Sequence, residues 1–143
     1  MTGVQTCALP ILRVGATVSC WGRNQAGQLG GNDPVTQQTE LPVVVAGTWS
    51  AITAGASHTC GLQNGALWCC GANDHGQLGD GTLLTRHAPV QVGTETNWKH
   101  VSAGATHTCA TRADSISLWC WGSNRRGELG DGTAWRPELV EIR

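Results

Sequence analysis

Cysteine is the most reactive residue type in this 143-residue chain, which contains seven of them. In the segment "CGLQNGALWC", Asn64-Gly65 is a strong two-residue hairpin signal that places Cys60 opposite Cys69. In "CATRADSISLWC", a slightly longer turn at the centre places Cys109 opposite Cys120. Cysteines that face each other across antiparallel strands can reach disulfide geometry. We therefore take both pairs as disulfide candidates.

Two other chemical states are open to these cysteines. Free thiols can pack in a core as small apolar side chains. A zinc site would need about four ligands at characteristic spacings, but His58 and Cys60 are too close in sequence for the usual pattern, and no second ligand pair is evident. We favour disulfides, which form and persist in oxidising compartments. This interpretation predicts an exported protein.

The histidines His58 and His107 each precede a Thr-Cys pair, in "HTC". A catalytic base would need an acid partner or a nucleophile within hydrogen-bond reach, and the surrounding sequence supplies only threonine and backbone. We expect a structural role instead, with each imidazole joining one strand to its neighbour. No catalytic residue is predicted, and the chain is not expected to be an enzyme.

Glycine-rich loops with the sequence "GDGT" occur at 79–82 and 130–133. They lack the alternating oxygen ligands of an EF-hand loop and the nonapeptide period of calcium-binding β-rolls. They also lack the patterns of phosphate-binding loops. Their glycines suit turns that need positive φ angles. The sequence thus predicts neither a metal nor a cofactor.

These residues recur because the chain is built from repeats. Gly22, Gly71 and Gly122 mark equivalent points that lie about 50 residues apart, with Trp21 and Trp121 beside the first and last. Each unit reads as four short apolar segments separated by turns. A period of this length with four strands indicates β-propeller blades. A helical solenoid would need amphipathic runs of ten or more residues, which are absent.

Composition narrows the class of partner. The formal net charge is -1, charged residues make up 13%, and the chain has 20 glycines, seven tryptophans and neither Phe nor Tyr. A near-neutral chain is not expected to bind nucleic acid or an acidic membrane surface through bulk electrostatics. No run approaches the roughly 18 apolar residues of a membrane span. A protein partner is therefore the expectation.

The phrases "AGASHTCGL", "LWCCGANDHGQLGDGT", "AGATHTCAT" and "LWCWGSNRRGELGDGT" resemble repeats of the regulator of chromosome condensation family, of a bacterial type with paired cysteines. The resemblance covers Val18 to Arg143. It implies an all-β fold of propeller blades, each with four antiparallel strands. The chain would form an incomplete arc of about two and a half blades, with units near 12–47, 48–97 and 98–143, and further repeats are expected in a full-length protein.

Residues 1–11, "MTGVQTCALPI", do not follow the repeat. They resemble the translation of a sequencing adaptor, and we interpret them as a non-native tail. On that interpretation the sequence begins downstream of any signal peptide.

Variable residues in the loops are the candidate contacts with a partner, because recognition is usually carried by loops on a rigid scaffold. These loop tips are Gln25, Asp74, His75, Arg125 and Arg126. We predict a non-enzymatic protein-interaction scaffold, part of an exported or cell-surface bacterial propeller. The family resemblance also implies two alternatives, guanine-nucleotide exchange on a small GTPase and secreted inhibition of a β-lactamase.

Overall fold

The computed structural model describes residues 11–12, 18–32, 38–114, 117–132 and 135–142. These ranges contain eleven β-strands and no helix. The strands are β1 (Ile11–Leu12), β2 (Val18–Arg23), β3 (Gln38–Val45), β4 (Trp49–Ala54), β5 (His58–Gln63), β6 (Ala66–Gly71), β7 (Arg86–Gln91), β8 (Trp98–Ala103), β9 (His107–Arg112), β10 (Leu118–Ser123) and β11 (Trp135–Ile142).

The strands form three antiparallel sheets in chain order. The sheet β1-β2-β3 is blade 1, β4-β5-β6-β7 is blade 2, and β8-β9-β10-β11 is blade 3. Blades 2 and 3 meet mainly through β4, β5 and β8. The first strands of these two blades, β4 and β8, therefore lie on the inner side of the arc. The predicted fold class, an incomplete arc of four-stranded propeller blades, is confirmed.

Blade 1 includes one residue of the segment that was interpreted as a tail. Ile11 pairs with Ser19 and belongs to β1, although it was assigned to the predicted tail. The rest of that tail, residues 1–10, lies outside the described residues.

The hairpin registers follow from local turn chemistry. Cys60 pairs with Cys69 around a turn in which Asn64 and Gly65 both have positive φ, 52° and 76°. This is the conformation of a type I′ hairpin, which favours Asn-Gly. Cys120 pairs with Cys109, again as predicted, although residues 115–116 of that turn lie outside the described part of the chain.

A β-bulge interrupts β2, β6 and β10, one strand of each blade, at the marker glycine. The register shifts next to Gly22, Gly71 and Gly122, whose φ angles are 112°, 111° and 106°. A Cβ atom on Gly71 would lie 2.5 Å from the carbonyl oxygen of Ser57. Only glycine satisfies both the backbone angle and the close approach.

Two apolar clusters fill the spaces between blades, because the blade hairpins are apolar on both sides. Trp98, Trp119 and Trp121 of blade 3 pack against Leu62 and Leu67 of blade 2. Between blades 1 and 2, residues from both sheets form the second cluster. Its members are Val18, Cys20, Leu29, Trp49, Val45, Ile52, Ala54 and Trp68. The prediction that Trp119 and Trp121 share one face is confirmed.

The connections divide the molecule into two faces. The long connections after β2, β6 and β10 leave the same end of the sheets, and we call this end the long-loop face. Its described residues are 24–32, 55–57, 72–85, 104–106 and 124–132. The opposite end carries the shorter connections at 46–48, 64–65, 92–97 and 113–114, and we call it the short-turn face.

Candidate protein-interaction face

Three asparagines hold the loops of the long-loop face in one shape. In each loop the side-chain oxygen of the asparagine accepts a hydrogen bond from the backbone N–H of a buried leucine. The pairs are Asn24 and Leu29 at 3.0 Å, Asn73 and Leu78 at 3.0 Å, and Asn124 and Leu129 at 2.7 Å. Because the amide side chain replaces a backbone partner, the loop keeps its conformation whatever residues lie between them.

A second side chain fixes the tip itself. A side-chain oxygen of Gln28, Gln77 or Glu128 accepts a hydrogen bond from the backbone of the second tip residue. The donors are the N–H groups of Ala26 at 3.0 Å, His75 at 2.9 Å and Arg126 at 2.9 Å. The sequence shows these Gln and Glu positions as part of the repeat, but their capping role was missed.

The loop of blade 2 is closed on itself by charge and hydrogen bonding. Gln77 Nε2 donates to Asp74 Oδ1 at 3.1 Å, and His75 Nδ1 lies 3.0 Å from Asp74 Oδ2. Partial burial opposes ionisation of Asp74, but the hydrogen bonds and charge from Gln77 and His75 outweigh it and hold the pKa of the carboxyl below its usual value. Asp74 therefore stays anionic on the rim.

The "GDGT" loop of blade 2 uses its carboxylate internally. Asp80 Oδ1 accepts hydrogen bonds from Asn73 Nδ2, Thr82 N and Thr82 Oγ1 at 2.8 to 3.0 Å, and Oδ2 accepts from Arg86 Nε at 2.9 Å. Burial alone would raise the pKa of Asp80, but the hydrogen bonds from these donors outweigh burial and hold the pKa of the carboxyl below its usual value. Within the described ranges no group of three or more His, Cys, Asp or Glu could hold a metal ion.

The structure brings only some of the predicted tip residues together. Gln25 and Asp74 line a groove of about 370 Å³ on the long-loop face. His75 is half-buried behind Asp74. Arg125 and Arg126 are exposed on the loop of blade 3 and do not line this groove. The tip residues thus share one face but not one pocket.

His58 links blade 2 to blade 3. Its Nε2 lies 2.9 Å from Thr108 Oγ1, and Thr108 Oγ1 donates its only proton to the carbonyl oxygen of Gln77 at 2.8 Å. His58 Nε2 must therefore be the donor. Burial, with a smaller contribution from His107, lowers the pKa of His58 to about 4. A neutral, wholly buried imidazole with a fixed donor has no access to a substrate.

The equivalent His107 lies in the same place in blade 3. A Cβ atom on Gly104 would fall 2.1 Å from the His107 ring, as one on Gly55 would fall 2.3 Å from the His58 ring. Both histidines thus pack against a glycine in the preceding turn.

Carbonyl oxygens of the loops receive donors from the next blade. Thr59 Oγ1 donates to Gln28 O at 2.8 Å, as Thr108 Oγ1 does to Gln77 O. Trp121 Nε1 also donates to Gln77 O at 3.0 Å. Cys70 occupies the equivalent position in blade 2, with Sγ 3.8 Å from Gln28 O. In blade 1 that position holds Trp21, which is half-buried.

Both predicted cysteine pairs are disulfide-bonded in the structure, with Cα atoms 4.1 Å apart in each. Cys60 and Cys69 are buried in the cluster between blades 2 and 3. Cys109 is only half-buried, because it faces away from blade 2. No helix in the described part of the chain could span a membrane.

One cluster on the short-turn face was not predicted. The Arg112 guanidinium lies 4.9 Å from the ring of Trp98 and 4.4 Å from that of Trp119, and its Nη2 donates to Glu95 Oε1 at 2.8 Å. The sequence indicated that Trp119 and Trp121 share one strand face, but neither the pairing of Trp119 with Trp98 nor the contact of Arg112 with both rings was predicted.

Comparisons with known proteins agree with this architecture. The regulator of chromosome condensation (RCC1) repeat profile matches residues 17–62 and 64–111, and a second profile of the same description matches 49–77 and 98–128. A search of curated protein sequences finds no match.

Solved structures of low sequence identity share the fold. Yeast RCC1 (Prp20), in a crystal structure bound to Kap60, has a TM-score of 0.79 and 23% identity, over 89% of this chain and 33% of that one. Human WBSCR16 has a TM-score of 0.75 and 24% identity, over 88% and 34%. A further structure of Prp20p from Saccharomyces cerevisiae, described with its binding to Gsp1p and histones, also has a TM-score of 0.79.

This chain spans about a third of the length of those proteins. The family profile nevertheless covers well over half of the chain, across all three blades. The chain therefore belongs to the regulator of chromosome condensation (RCC1) repeat family.

Proposed function

We propose that this chain is a non-enzymatic protein-interaction scaffold that binds a protein partner through its long-loop face. The observation that carries the proposal is the separation of frame from tip. The same asparagine and Gln/Glu hydrogen bonds hold all three loops. The tip residues between them differ in charge: Gln25-Ala26, Asp74-His75 and Arg125-Arg126. A rigid frame lowers the conformational entropy lost on binding, and different tips supply specificity.

The likeness to yeast RCC1, whose crystal structure contains bound Kap60, supports a protein partner in general terms. Guanine-nucleotide exchange and β-lactamase inhibition are the alternatives that the family suggests. Accelerated nucleotide release from a small GTPase would favour the first, and loss of β-lactamase activity would favour the second.

We also propose that the protein is exported or lies at the cell surface. The two disulfides support this, because they are stable in oxidising compartments. Mass spectrometry after alkylation without reduction tests it on protein from the source cell. Masking of Cys60, Cys69, Cys109 and Cys120 is expected, and alkylation of all four would contradict the proposal.

Site-specific photo-crosslinking tests the interaction face. A photoreactive residue at Gln25, His75 or Arg125 should capture a defined protein from the source cell envelope. Matched substitutions at Thr94 and Thr96, which are exposed on the short-turn face, should not.

The captured protein is then purified and titrated with loop variants. Paired substitution of Arg125 and Arg126 by alanine should weaken binding about tenfold or more if these side chains contact the partner. Equal capture from both faces, or unchanged affinity of every tip variant, would contradict the assignment of the long-loop face.

A further inference from the structure

The groove on the long-loop face contains one buried donor without a hydrogen-bond partner among the described residues. This donor is Nε2 of Gln28, a residue that is only 1% exposed and that lines the groove. Oε1 of the same side chain accepts the hydrogen bond from Ala26 N, so the amide cannot turn to exchange its two ends. A buried polar group without a partner is costly, so its persistence here points to a ligand.

The equivalent side chains in the other two loops are different. In blade 2, Gln77 Nε2 is satisfied by Asp74 Oδ1 at 3.1 Å. In blade 3 the residue is Glu128, which has no donor and still accepts from Arg126 N. Blade 1 has Gln25 where blade 2 has Asp74, and the Gln25 side chain does not accept from Gln28 Nε2 in the folded loop. The unsatisfied amide thus accompanies this difference between otherwise similar loops.

Side chains of opposite charge line the groove. Arg23, which is exposed, belongs to blade 1, as Gln28 does. Asp74 belongs to blade 2 and has 69% of its side chain exposed, and it stays anionic because its pKa is held low. Small residues of the inner turns, among them Ala56 and Ala105, also line the groove.

We propose that this groove binds a peptide segment of a protein partner in which a carboxylate and a cationic side chain lie close together. The carboxylate accepts from Gln28 Nε2 and faces Arg23, and the cationic group faces Asp74. The small residues that line the groove leave room for an extended backbone. This inference deepens the proposed function by giving the chemistry of the segment that the long-loop face recognises.

Capped peptides of the form acetyl-Glu-(Gly)n-Lys-amide are suitable probes. Roughly one to three glycines should be compared, because each residue adds at most about 3.6 Å of reach. The side-chain amide signal of Gln28 in an NMR titration of the full chain reports binding directly. A dissociation constant on the order of 1 mM is expected for so small a ligand. Two control probes are needed, one with Gln in place of Glu and one with Gln in place of Lys. Each should bind more weakly than the probe that carries both charges.

The chain itself suggests the matched variants. Gln28→Glu keeps the oxygen that accepts from Ala26 N, as Glu128 does in blade 3, but replaces the donor with a carboxylate. It should weaken every probe that carries Glu at the first position about tenfold or more, and leave the probe that carries Gln at that position nearly unchanged. Asp74→Asn should weaken only the Lys-containing probes, by about threefold, because that end is exposed. Glu128→Gln, on the distant loop, should change neither.

The backbone spectrum of each variant, overlaid on that of the parent, shows whether the fold is retained. Absence of a saturable shift at Gln28 with every probe would overturn the inference, as would equal affinity for the carboxylate and amide probes. Such a failure would leave the proposed function standing if crosslinking still captured a partner from the long-loop face. Probe binding combined with capture from the short-turn face alone would instead overturn the proposed function.

Discussion

Two interfaces join the three blades, and they fill the same space with different side chains. Between blades 2 and 3, Trp121 is fully buried and its indole N–H donates to Gln77 O at 3.0 Å. Between blades 1 and 2, the equivalent residue is Cys70, and it borders an apolar cavity of about 20 Å³. The smaller side chain leaves the indole volume unfilled, and a longer thiol hydrogen bond, from Cys70 Sγ to Gln28 O at 3.8 Å, takes the place of the indole one.

A threonine is common to both interfaces. Thr59 and Thr108 each donate to a loop carbonyl oxygen at 2.8 Å, whichever residue occupies the tryptophan position. The carbonyl therefore has a partner even where the indole is missing. The comparison indicates that the threonine maintains the contact between blade and loop, while the tryptophan adds packing.

Replacement of the tryptophan should have the largest effect on stability. Trp121→Ala should lower the free energy of unfolding by about 3–5 kcal/mol, because a wholly buried indole leaves a cavity. Cys70→Ala at the equivalent position should cost about 1 kcal/mol, because it removes one sulfur atom. Urea unfolding followed by far-UV circular dichroism measures both without depending on tryptophan emission. Equal losses would show that the two interfaces do not differ as described.

Acid should weaken the interface between blades 2 and 3 through His58. The pKa of His58 is about 4 in the folded protein and about 6.5 when the chain is unfolded. Between these values the unfolded chain binds a proton that the folded chain does not. The free energy of unfolding should therefore be highest above pH 6.5 and fall by about 3 kcal/mol as the pH drops to about 4.

His58→Gln provides the control for this pH dependence, because it removes the titrating group. His107 is the other titratable side chain that acts on His58, and it remains in the variant. The carboxyls of Asp74, Asp80, Glu95 and Glu128 have lowered pKa values, so their stabilising contribution begins to fall as the pH drops through their ordinary values of 3.8 and 4.5. The slopes of parent and variant are therefore compared between pH 6.5 and about 5. An unchanged slope in that range in the variant would contradict the assignment to His58.

Features that depend on near neighbours in the sequence could be predicted. The pairing of Cys60 with Cys69 follows from the Asn64-Gly65 turn and the two-residue period of strands. The positions of the loop tips follow from alignment of the repeats, since each unit places its tip at the same point.

Contacts between blades could not be predicted, because they depend on how far apart the sheets stand. The sequence suggested that His58 joins neighbouring strands, but it did not give Thr108 in the next blade as the partner. The unpaired side-chain donor of Gln28 could not be predicted for a related reason. It depends on whether residue 25 reaches the amide, and only the folded loop shows that it does not.

The smallest difference expected between the interfaces comes from the threonine itself. Thr59→Val removes one hydrogen bond, and Cys70 Sγ remains 3.8 Å from the carbonyl oxygen of Gln28. Thr59→Val should therefore lower the free energy of unfolding by about 1 kcal/mol. Thr108→Val also leaves His58 Nε2 as a buried donor without an acceptor, so it should cost about 2 kcal/mol.

A double-mutant cycle assigns that excess to the histidine. If the extra cost of Thr108→Val arises from the stranded imidazole donor, it should largely disappear when His58 is replaced by Gln, whose amide can adjust to another acceptor. The free energies of unfolding are measured at pH 7.5, where His58 is neutral in the folded parent. An excess that persists in the double variant would mean that it does not come from the His58 donor. The greater cost of Thr108→Val would then arise from the packing of Thr108 and from its bond to Gln77 O, and His58 would not distinguish the two interfaces.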